Sequence, residues 1–320
     1  MSLGFSTKRH DGPPRANDAG LGRDSTAMAG ANAGIPETTM DKSRTLTLGH
    51  SPDPDDAFMF YGLAAGKIDA KGWTFEHILQ DIQTLNERAS REELDITAVS
   101  IHAFAYIADK YALLSSGSSM GDGYGPMVVA REAMDTARLT SPDVTIAVPG
   151  TMTTAFLTLK LAIGEFKYEV VPFDEIIESV ASGRHDAGLI IHEGQLTYGD
   201  RGLNLVLELG RWWKQRTGLP LPLGGNVVRR ALGDEAIAEL GVVLRDSIQY
   251  GLDNRHEAVT HALRWARDMG HDLADKFVGM YVNDFTVDYG ATGREAVERL
   301  LREAADRELV PAMPPLAFVG

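Results

Sequence analysis

From residue 45 onward, short apolar segments with the length of β-strands alternate with segments whose apolar residues follow a helical period. Most of the predicted strands run into polar or glycine-containing turns. The predicted strands span residues 45–49, 73–79, 95–99, 127–130, 144–148, 168–171 and 186–191. Strands that alternate with helices form parallel sheets joined by right-handed crossovers, so this pattern predicts an α/β fold with mainly parallel sheets.

Two glycine-rich segments interrupt the alternation. Residues 115–126 contain four glycines and four serines, and residues 219–226 contain two prolines and two glycines. Residues 115–126 contain more glycine and serine than a tight turn needs, so they are interpreted as a loop that approaches a ligand or as a crossing between two lobes. Residues 219–226 do not suit a helix interior and are interpreted as a second crossing between the lobes. The arrangement predicts a two-lobed, periplasmic-binding-protein-like (type II) fold with a ligand cleft between the lobes.

The same pattern predicts the limits of the lobes. They are residues 44–126 for the first part of lobe 1, residues 127–222 for lobe 2, and residues 223–320 for a return to lobe 1 with C-terminal helices. The predicted C-terminal helices span residues 235–251, 255–268, 271–282 and 292–306.

Residues 1–43 differ in composition from the rest of the chain. They are rich in Gly, Ala, Asp, Asn, Pro, Ser and Thr and show no apolar periodicity. Such a segment cannot bury enough surface to offset its loss of conformational entropy, so it is interpreted as a disordered tail. It also lacks the apolar core of roughly 7–15 residues that a signal peptide needs.

Charge and composition limit the expected partners. The chain has 31 Lys and Arg against 45 Asp and Glu, a formal net charge of −14, with no basic cluster. Nucleic acids and anionic membranes are therefore not expected partners, whereas a small-molecule substrate is. The absence of cysteine excludes disulfides, thiolate catalysis and cysteine-ligated metals. No apolar run approaches the roughly 18 residues of a membrane span, and the oligomeric state stays open.

A histidine follows the apolar strand at residues 186–191. Ligands of open α/β sheets bind outside the carboxyl ends of the strands, so His192 lies where a ligand is expected. Imidazole titrates near neutral pH and suits proton transfer. A hydrogen-bonded structural histidine fits the same position, and both interpretations stay open on sequence grounds.

A second candidate feature follows the strand at residues 144–148. The glycine turn at residues 149–152 leads into Thr153 and Thr154 at the predicted start of a helix. Free backbone N–H groups at a helix N-terminus attract anions, and threonine hydroxyls add donors. Simple N-capping by either threonine explains the same pattern.

Several motifs occur in the order found in one known family. They are Ser51-Pro52-x-Pro54-x-Asp56, the Gly-x-Gly-x-Gly-Pro loop ending at Pro126, Val148-Pro149-Gly150-x-x-Thr153-Thr154-Ala155, Gly188-Leu189-Ile190-Ile191-His192-Glu193 with Thr197-Tyr198, Trp212-Trp213, and Leu219-Pro220-Leu221-Pro222-Leu223-Gly224. Together they resemble the 1,4-dihydroxy-6-naphthoate synthase family of the futalosine route to menaquinone, from about residue 44 to the end of the chain.

The resemblance implies an enzyme that cleaves cyclic dehypoxanthinylfutalosine to 1,4-dihydroxy-6-naphthoate. It implies a lyase-type reaction in the cytoplasm, without a metal or redox cofactor and with a histidine general base, here His192. On this basis we also expect a set of substrate-binding residues. The set comprises Ser51, Asp55, Ser100, Thr153 and Thr154.

The chain departs from the family pattern in the first turn. Asp53, Asp55 and Ala57 stand where the family usually has Cys, Asn and Thr. Asp55 in place of an amide removes two donors and adds negative charge near an expected carboxylate ligand, so the substrate itself is open to question. Three alternatives remain: a non-catalytic solute-binding protein, a chorismate dehydratase-like sister enzyme, and a pyrimidine-precursor or small-acid binding protein.

Overall fold

Strands and helices alternate through most of the protein, as the sequence predicts. A computed structural model describes residue 42 and residues 44–265 and 270–320. The predicted tail at residues 1–43, apart from Lys42, lies outside the described residues.

The strands are numbered in chain order. They are β1 (Thr45–His50), β2 (Thr74–Leu79), β3 (Ile96–Ser100), β4 (Tyr111–Leu114), β5 (Ser119–Gly121), β6 (Met127–Ala130), β7 (Thr145–Val148), β8 (Lys167–Val170), β9 (Ala187–Ile190), β10 (Asn204–Glu208), β11 (Leu221–Arg229) and β12 (Phe318–Val319).

The helices are numbered in the same way. They are α1 (Pro54–Met59), α2 (Tyr61–Ala64), α3 (Ile82–Ser90), α4 (Ile101–Phe104), α5 (Thr154–Ile163), α6 (Ile176–Ala181), α7 (Leu209–Thr217), α8 (Asp234–Asp253), α9 (Arg255–Ala262), α10 (His271–Tyr281), α11 (Asp284–Val287) and α12 (Gly290–Asp306). Five short 3-10 turns lie between them, at Thr136–Thr140, Phe173–Glu175, Glu193–Leu196, Tyr198–Arg201 and Arg230–Leu232.

The strands form two separate sheets. The first has the order β12-β4-β11-β3-β1-β2, with β5 also paired to β11, and the second has the order β10-β6-β9-β7-β8. Both sheets contain antiparallel pairs. In the first sheet, β1 pairs in parallel with β2 and β3, whereas β11 is antiparallel to β3, β4 and β5. In the second sheet, β6 is antiparallel to β9 and β10. The α/β class is confirmed, with more antiparallel pairing than the sequence pattern predicts. The lobe limits stay predictions.

The apolar segment at residues 219–226 is mostly strand. Its residues 221–226 belong to β11, a nine-residue strand of the first sheet. A proline is tolerated near the start of this strand because the register with β5 shifts between Pro222 and Gly224. The segment is therefore not a helix, as predicted, and its interpretation as a crossing between lobes stays a prediction.

Buried side chains connect the two sheets. One core cluster contains Phe104 and Val99 from the first sheet region, together with Leu157 and Ile146 from the second. Trp213 of α7 is fully buried in this cluster, and its Nε1 donates a 3.0 Å hydrogen bond to the Pro220 carbonyl. The predicted C-terminal helices correspond to α8, α9, α10 and α12. Helix α9 ends at Ala262, earlier than predicted, and residues 266–268 of that prediction lie outside the described residues.

Candidate active site

Four parallel strands end at one cleft. These strands are β1, β3, β7 and β9, which end at His50, Ser100, Val148 and Ile190. The cleft is lined by residues that lie at these strand ends or in the turns that follow them. The space between these segments measures about 790 Å³, including the part open to solvent. All five residues predicted to bind substrate line the cleft: Ser51, Asp55, Ser100, Thr153 and Thr154.

The turn after β1 is held by its own carboxylates. The Ser51 backbone N–H donates a 2.6 Å hydrogen bond to Asp56 Oδ2, and Ser51 Oγ donates a 3.1 Å bond to Asp53 Oδ2. Pro54 occupies the first position of α1, where its missing N–H costs nothing. These bonds hold the Asp53 and Asp56 carboxylates in one short segment at the cleft.

The charge of this turn is unusual for a site expected to take an anion. Asp53, Asp55 and Asp56 all line the cleft, and no Lys, Arg or His does so among the described residues. Burial raises the pKa of Asp55 well above its ordinary value, and the charges of Asp56 and Asp53 raise it further. Burial raises the pKa of Asp56 to about 6, against the opposing hydrogen bonds from Ser51. Asp55 is thus the group most disposed to carry a proton, in which form it resembles the amide that it replaces.

Ser100 is positioned by a buried asparagine. Asn86 Nδ2 donates to Ser100 Oγ at 3.1 Å, and the Ser100 N–H donates to Asn86 Oδ1 at 2.8 Å. Asn86 also reaches the Met152 carbonyl at 3.4 Å, and Gln83 Oε1 accepts a bond from the Met152 N–H at 3.0 Å. Helix α3 therefore ties the end of β3 to the loop that precedes α5.

The two threonines at the start of α5 have internal hydrogen-bond partners. Thr153 is the N-cap: its Oγ1 accepts from the Phe156 N–H at 3.2 Å and donates to the Gly150 carbonyl at 2.9 Å. Thr154 Oγ1 donates to the Leu223 carbonyl at 2.5 Å and accepts from the His102 N–H at 3.2 Å. The capping interpretation is confirmed for Thr153. Anion binding by the backbone N–H groups of this first helical turn stays a prediction.

His192 lies beside the cleft and does not line it. It is the N-cap of the 3-10 turn Glu193–Leu196, and its Nδ1 accepts a 3.0 Å hydrogen bond from the Gly194 N–H. The ring is only 7% exposed and packs edge-on to Phe173, with 5.5 Å between ring centroids. Its Nε2 has no hydrogen-bond partner among the described residues. The neighbouring Ile191 does line the cleft.

Sequence reasoning missed two polar residues of the cleft, Asn226 and Tyr281. Asn226 lies in β11, within a segment interpreted as a crossing, and Tyr281 ends α10, whose periodicity indicates only a core face. The Tyr281 hydroxyl donates a 2.7 Å hydrogen bond to Gln195 Oε1, and burial raises its pKa. The adjacent glycines Gly224 and Gly225 are the one sequence signal that pointed to a close approach near Asn226.

Two kinds of feature are not found in the described part of the chain. No group of three His, Cys, Asp or Glu side chains there is arranged to hold a metal ion. None of the described helices combines the length and the apolar character needed to cross a membrane.

Comparison with known proteins decides the family. The model of the menaquinone biosynthesis family matches residues 46–306. The chain belongs to this family. A curated member, 1,4-dihydroxy-6-naphthoate synthase from Thermus thermophilus, is 40% identical over 277 residues, which cover 86% of this chain and 99% of the relative. The enzyme of the same name from Streptomyces coelicolor is 38% identical over 284 residues, with 86% and 98% coverage.

Solved structures support the family and the fold. A crystal structure of a protein from Archaeoglobus fulgidus is 44% identical, has a TM-score of 0.80, and covers 83% of this chain and 98% of its own. A Candida albicans protein described as having the generic periplasmic binding protein fold is 12% identical, with a TM-score of 0.59 and coverage of 87% and 99%. The periplasmic-binding-protein-like fold of this family member is thus confirmed.

Proposed function

We propose that this protein converts cyclic dehypoxanthinylfutalosine to 1,4-dihydroxy-6-naphthoate in menaquinone biosynthesis, with His192 as the general base. The single observation that carries the proposal is the near-complete match to two curated synthases, which extends over 86% of the chain. The cleft supports it, because the five residues expected to bind substrate from the family resemblance all line it.

The chemistry requires proton removal and oxygen binding. Release of the sugar-derived fragment and aromatisation of the ring call for removal of a proton next to a carbonyl or hydroxyl-bearing carbon. The oxygen that gains negative charge needs donors, and the backbone N–H groups at the start of α5 are suited to this role. Ser51 and Ser100 add hydroxyls from the first sheet, while Thr153 and Thr154 line the cleft from α5.

The proposed role of His192 requires a movement of its ring. Because Nδ1 accepts the Gly194 N–H, a neutral ring in this position carries its proton on Nε2 and offers no lone pair there. Catalytic hydrogen bonds often form only in the substrate complex. We therefore include in the proposal that substrate binding releases the ring from Gly194 and turns an unprotonated nitrogen toward the cleft.

Asp55 is the competing candidate for the base. It lines the cleft, and its raised pKa brings a carboxylate closer to the value that suits proton transfer at neutral pH. The family usually has Asn at this position, which argues against a required base there. The Asp55→Asn variant separates the two assignments: it keeps its turnover if His192 is the base and loses it if Asp55 is.

The reaction class and location are part of the same proposal. We assign a lyase-type cleavage that needs no added metal or redox cofactor and takes place in the cytoplasm, as the family resemblance implies. Turnover by protein that has been treated with EDTA and desalted tests the first point. Fractionation of the producing cells, with activity in the soluble cytoplasmic fraction, tests the second.

One assay distinguishes the proposed function from its alternatives. Purified protein is incubated separately with cyclic dehypoxanthinylfutalosine and with chorismate, and the products are followed by absorbance and mass. The proposal predicts the naphthoate from the first compound alone. Dehydration of chorismate would indicate the sister enzyme, and binding without turnover would indicate a solute-binding protein.

A further inference from the structure

The floor of the cleft contains a buried amide whose hydrogen-bonding capacity is unused. Asn226 is 1% exposed and lines the cleft. Neither its Oδ1 nor its Nδ2 has a hydrogen-bond partner among the described residues. Buried polar groups in native proteins are nearly always paired, so an amide with both ends free calls for an explanation.

The position of Asn226 is fixed by the sheet around it. In β11 it pairs with Ala98 of β3, and two residues earlier Gly224 pairs with Ser100. Residues that pair directly across two strands share a face of the sheet, as do residues two apart in one strand. Asn226, Ala98, Gly224 and Ser100 therefore share one face, and all four line the cleft.

A glycine makes room for the amide. Gly117 has φ +83°, and a Cβ built on it would lie 2.0 Å from Asn226 Nδ2. Gly117 also lines the cleft, and its N–H donates a 2.7 Å bond to the Thr286 carbonyl. The backbone thus comes close to the Asn226 side chain without bonding to it, and the amide stays available to a ligand.

We propose that Asn226 binds a hydroxyl group of the substrate, donating from Nδ2 and accepting at Oδ1. A hydroxyl both donates and accepts, so it can pair with both the Nδ2 and the Oδ1 of an amide. A carboxylate only accepts, and would leave Oδ1 facing a negative charge. Asp53, Asp55 and Asp56 also line the cleft and favour a neutral hydroxyl over a carboxylate near this floor. This inference rests on the proposed function, because it concerns the hydroxyls of that substrate.

The test is a binding cycle that pairs two ligands with two proteins. The ligands are 1,4-dihydroxy-6-naphthoate, kept reduced under anaerobic conditions, and naphthalene-2-carboxylate, which has the same skeleton and carboxylate without the hydroxyls. The wild type is compared with Asn226→Leu, which keeps the shape of the side chain. We expect the wild type to prefer the dihydroxy ligand about 10- to 100-fold, and the variant to lose most of that preference. An unchanged ratio overturns the inference.

A thermal-stability comparison excludes a merely structural role. Asn226→Leu breaks no hydrogen bond among the described residues, so its melting temperature should equal or exceed that of the wild type. Asn86→Leu is the matched control, because Asn86 is equally buried and makes three internal hydrogen bonds; its melting temperature should fall. A comparable fall for both variants contradicts the inference. If Asn226→Leu does not fold, the binding of both ligands is measured with Asn226→Ala instead. This variant should also lose most of the preference for the dihydroxy ligand over naphthalene-2-carboxylate.

Turnover by the wild type keeps the two proposals distinguishable. If the wild type converts cyclic dehypoxanthinylfutalosine but the Asn226 variants keep the preference for hydroxyls, the inference fails alone. If the wild type neither converts the substrate nor binds the dihydroxy ligand, the proposed function fails and the inference fails with it.

Discussion

The Tyr281 hydroxyl donates a 2.7 Å hydrogen bond to Gln195 Oε1, joining residues 86 positions apart in the chain. Tyr281 ends α10, and Gln195 lies in the 3-10 turn that begins directly after His192. Both side chains are almost completely buried. The position of the proposed base is thus coupled to a helix of the C-terminal region through one side-chain contact.

Removal of this bond should destabilise the protein. Tyr281→Phe keeps the ring contacts with Tyr124 and Phe277 but leaves Gln195 Oε1 without its donor. We expect the free energy of unfolding in urea to fall by about 1–3 kcal/mol. Tyr168→Phe, on a tyrosine that is 40% exposed, is the control and should change it little. Equal effects of the two variants would show that the bond contributes nothing.

The acidic turn predicts a dependence of stability on pH. A carboxyl whose pKa is raised by folding holds its proton where the unfolded chain has lost it, so stability falls as pH rises from the unfolded to the folded pKa. For Asp56 this window runs from 3.8 to about 6. For Asp55 it begins at 3.8 and extends well above that value.

The substitution Asp55→Asn tests this dependence. It removes the titration of Asp55 and its repulsion of Asp56, so it should raise the free energy of unfolding at pH 7. The gain should disappear near pH 4, where the wild-type carboxyl is protonated too. Asp109→Asn, at an exposed position, controls for a general change in net charge. A gain that does not vary with pH would refute the explanation.

Two glycines provide a matched test of the close approach at Asn226. Gly117 and Gly123 have φ of +83° and +82°, but a Cβ at Gly123 would meet nothing within 4 Å. Gly123→Ala should therefore lower the free energy of unfolding only through the backbone strain of a positive φ, by about 1–2 kcal/mol. Gly117→Ala should cost more and should also weaken binding of the dihydroxynaphthoate, because its Cβ displaces the Asn226 amide. Similar stability losses with unchanged ligand binding would contradict this geometry.

The cap of α5 predicts a smaller effect. Thr153→Ala removes the acceptor for the Phe156 N–H and should lower the free energy of unfolding by about 0.5–2 kcal/mol. Thr153→Ser keeps the hydroxyl and should retain most of the stability. If Ser and Ala are equally destabilising, the lost methyl group rather than the cap is responsible.

The sequence predicts most of the fold because the apolar residues of its strands and helices recur with distinct periods. Polar or glycine-containing turns mark where most of the strands end. The turns after β1, β3 and β7 contain the expected cleft residues, since parallel strands bring their carboxyl ends to one edge. Asn226 was not predictable in the same way. The composition of residues 219–226 indicates only a crossing between lobes, and the pairing of β11 with β3 is what makes Asn226 part of the cleft floor.

The orientation of His192 was equally hidden from the sequence. The position of His192 after β9 follows from the strand pattern. The direction of its ring depends instead on a local hydrogen bond to the backbone. The Gly194 N–H binds Nδ1, and the ring is not part of the cleft lining to which Ile191 belongs. Such side-chain-to-backbone bonds compete with other orientations and carry no distinct sequence period.

The most direct test of the account is the turnover number of His192→Asn with cyclic dehypoxanthinylfutalosine. Asn can accept the Gly194 N–H as Nδ1 does, so the variant should keep the turn while it loses the imidazole. The account predicts naphthoate formation by the wild type, and a fall in kcat by a factor of about 100 or more in the variant at nearly unchanged melting temperature. Equal kcat values for the two proteins would contradict it.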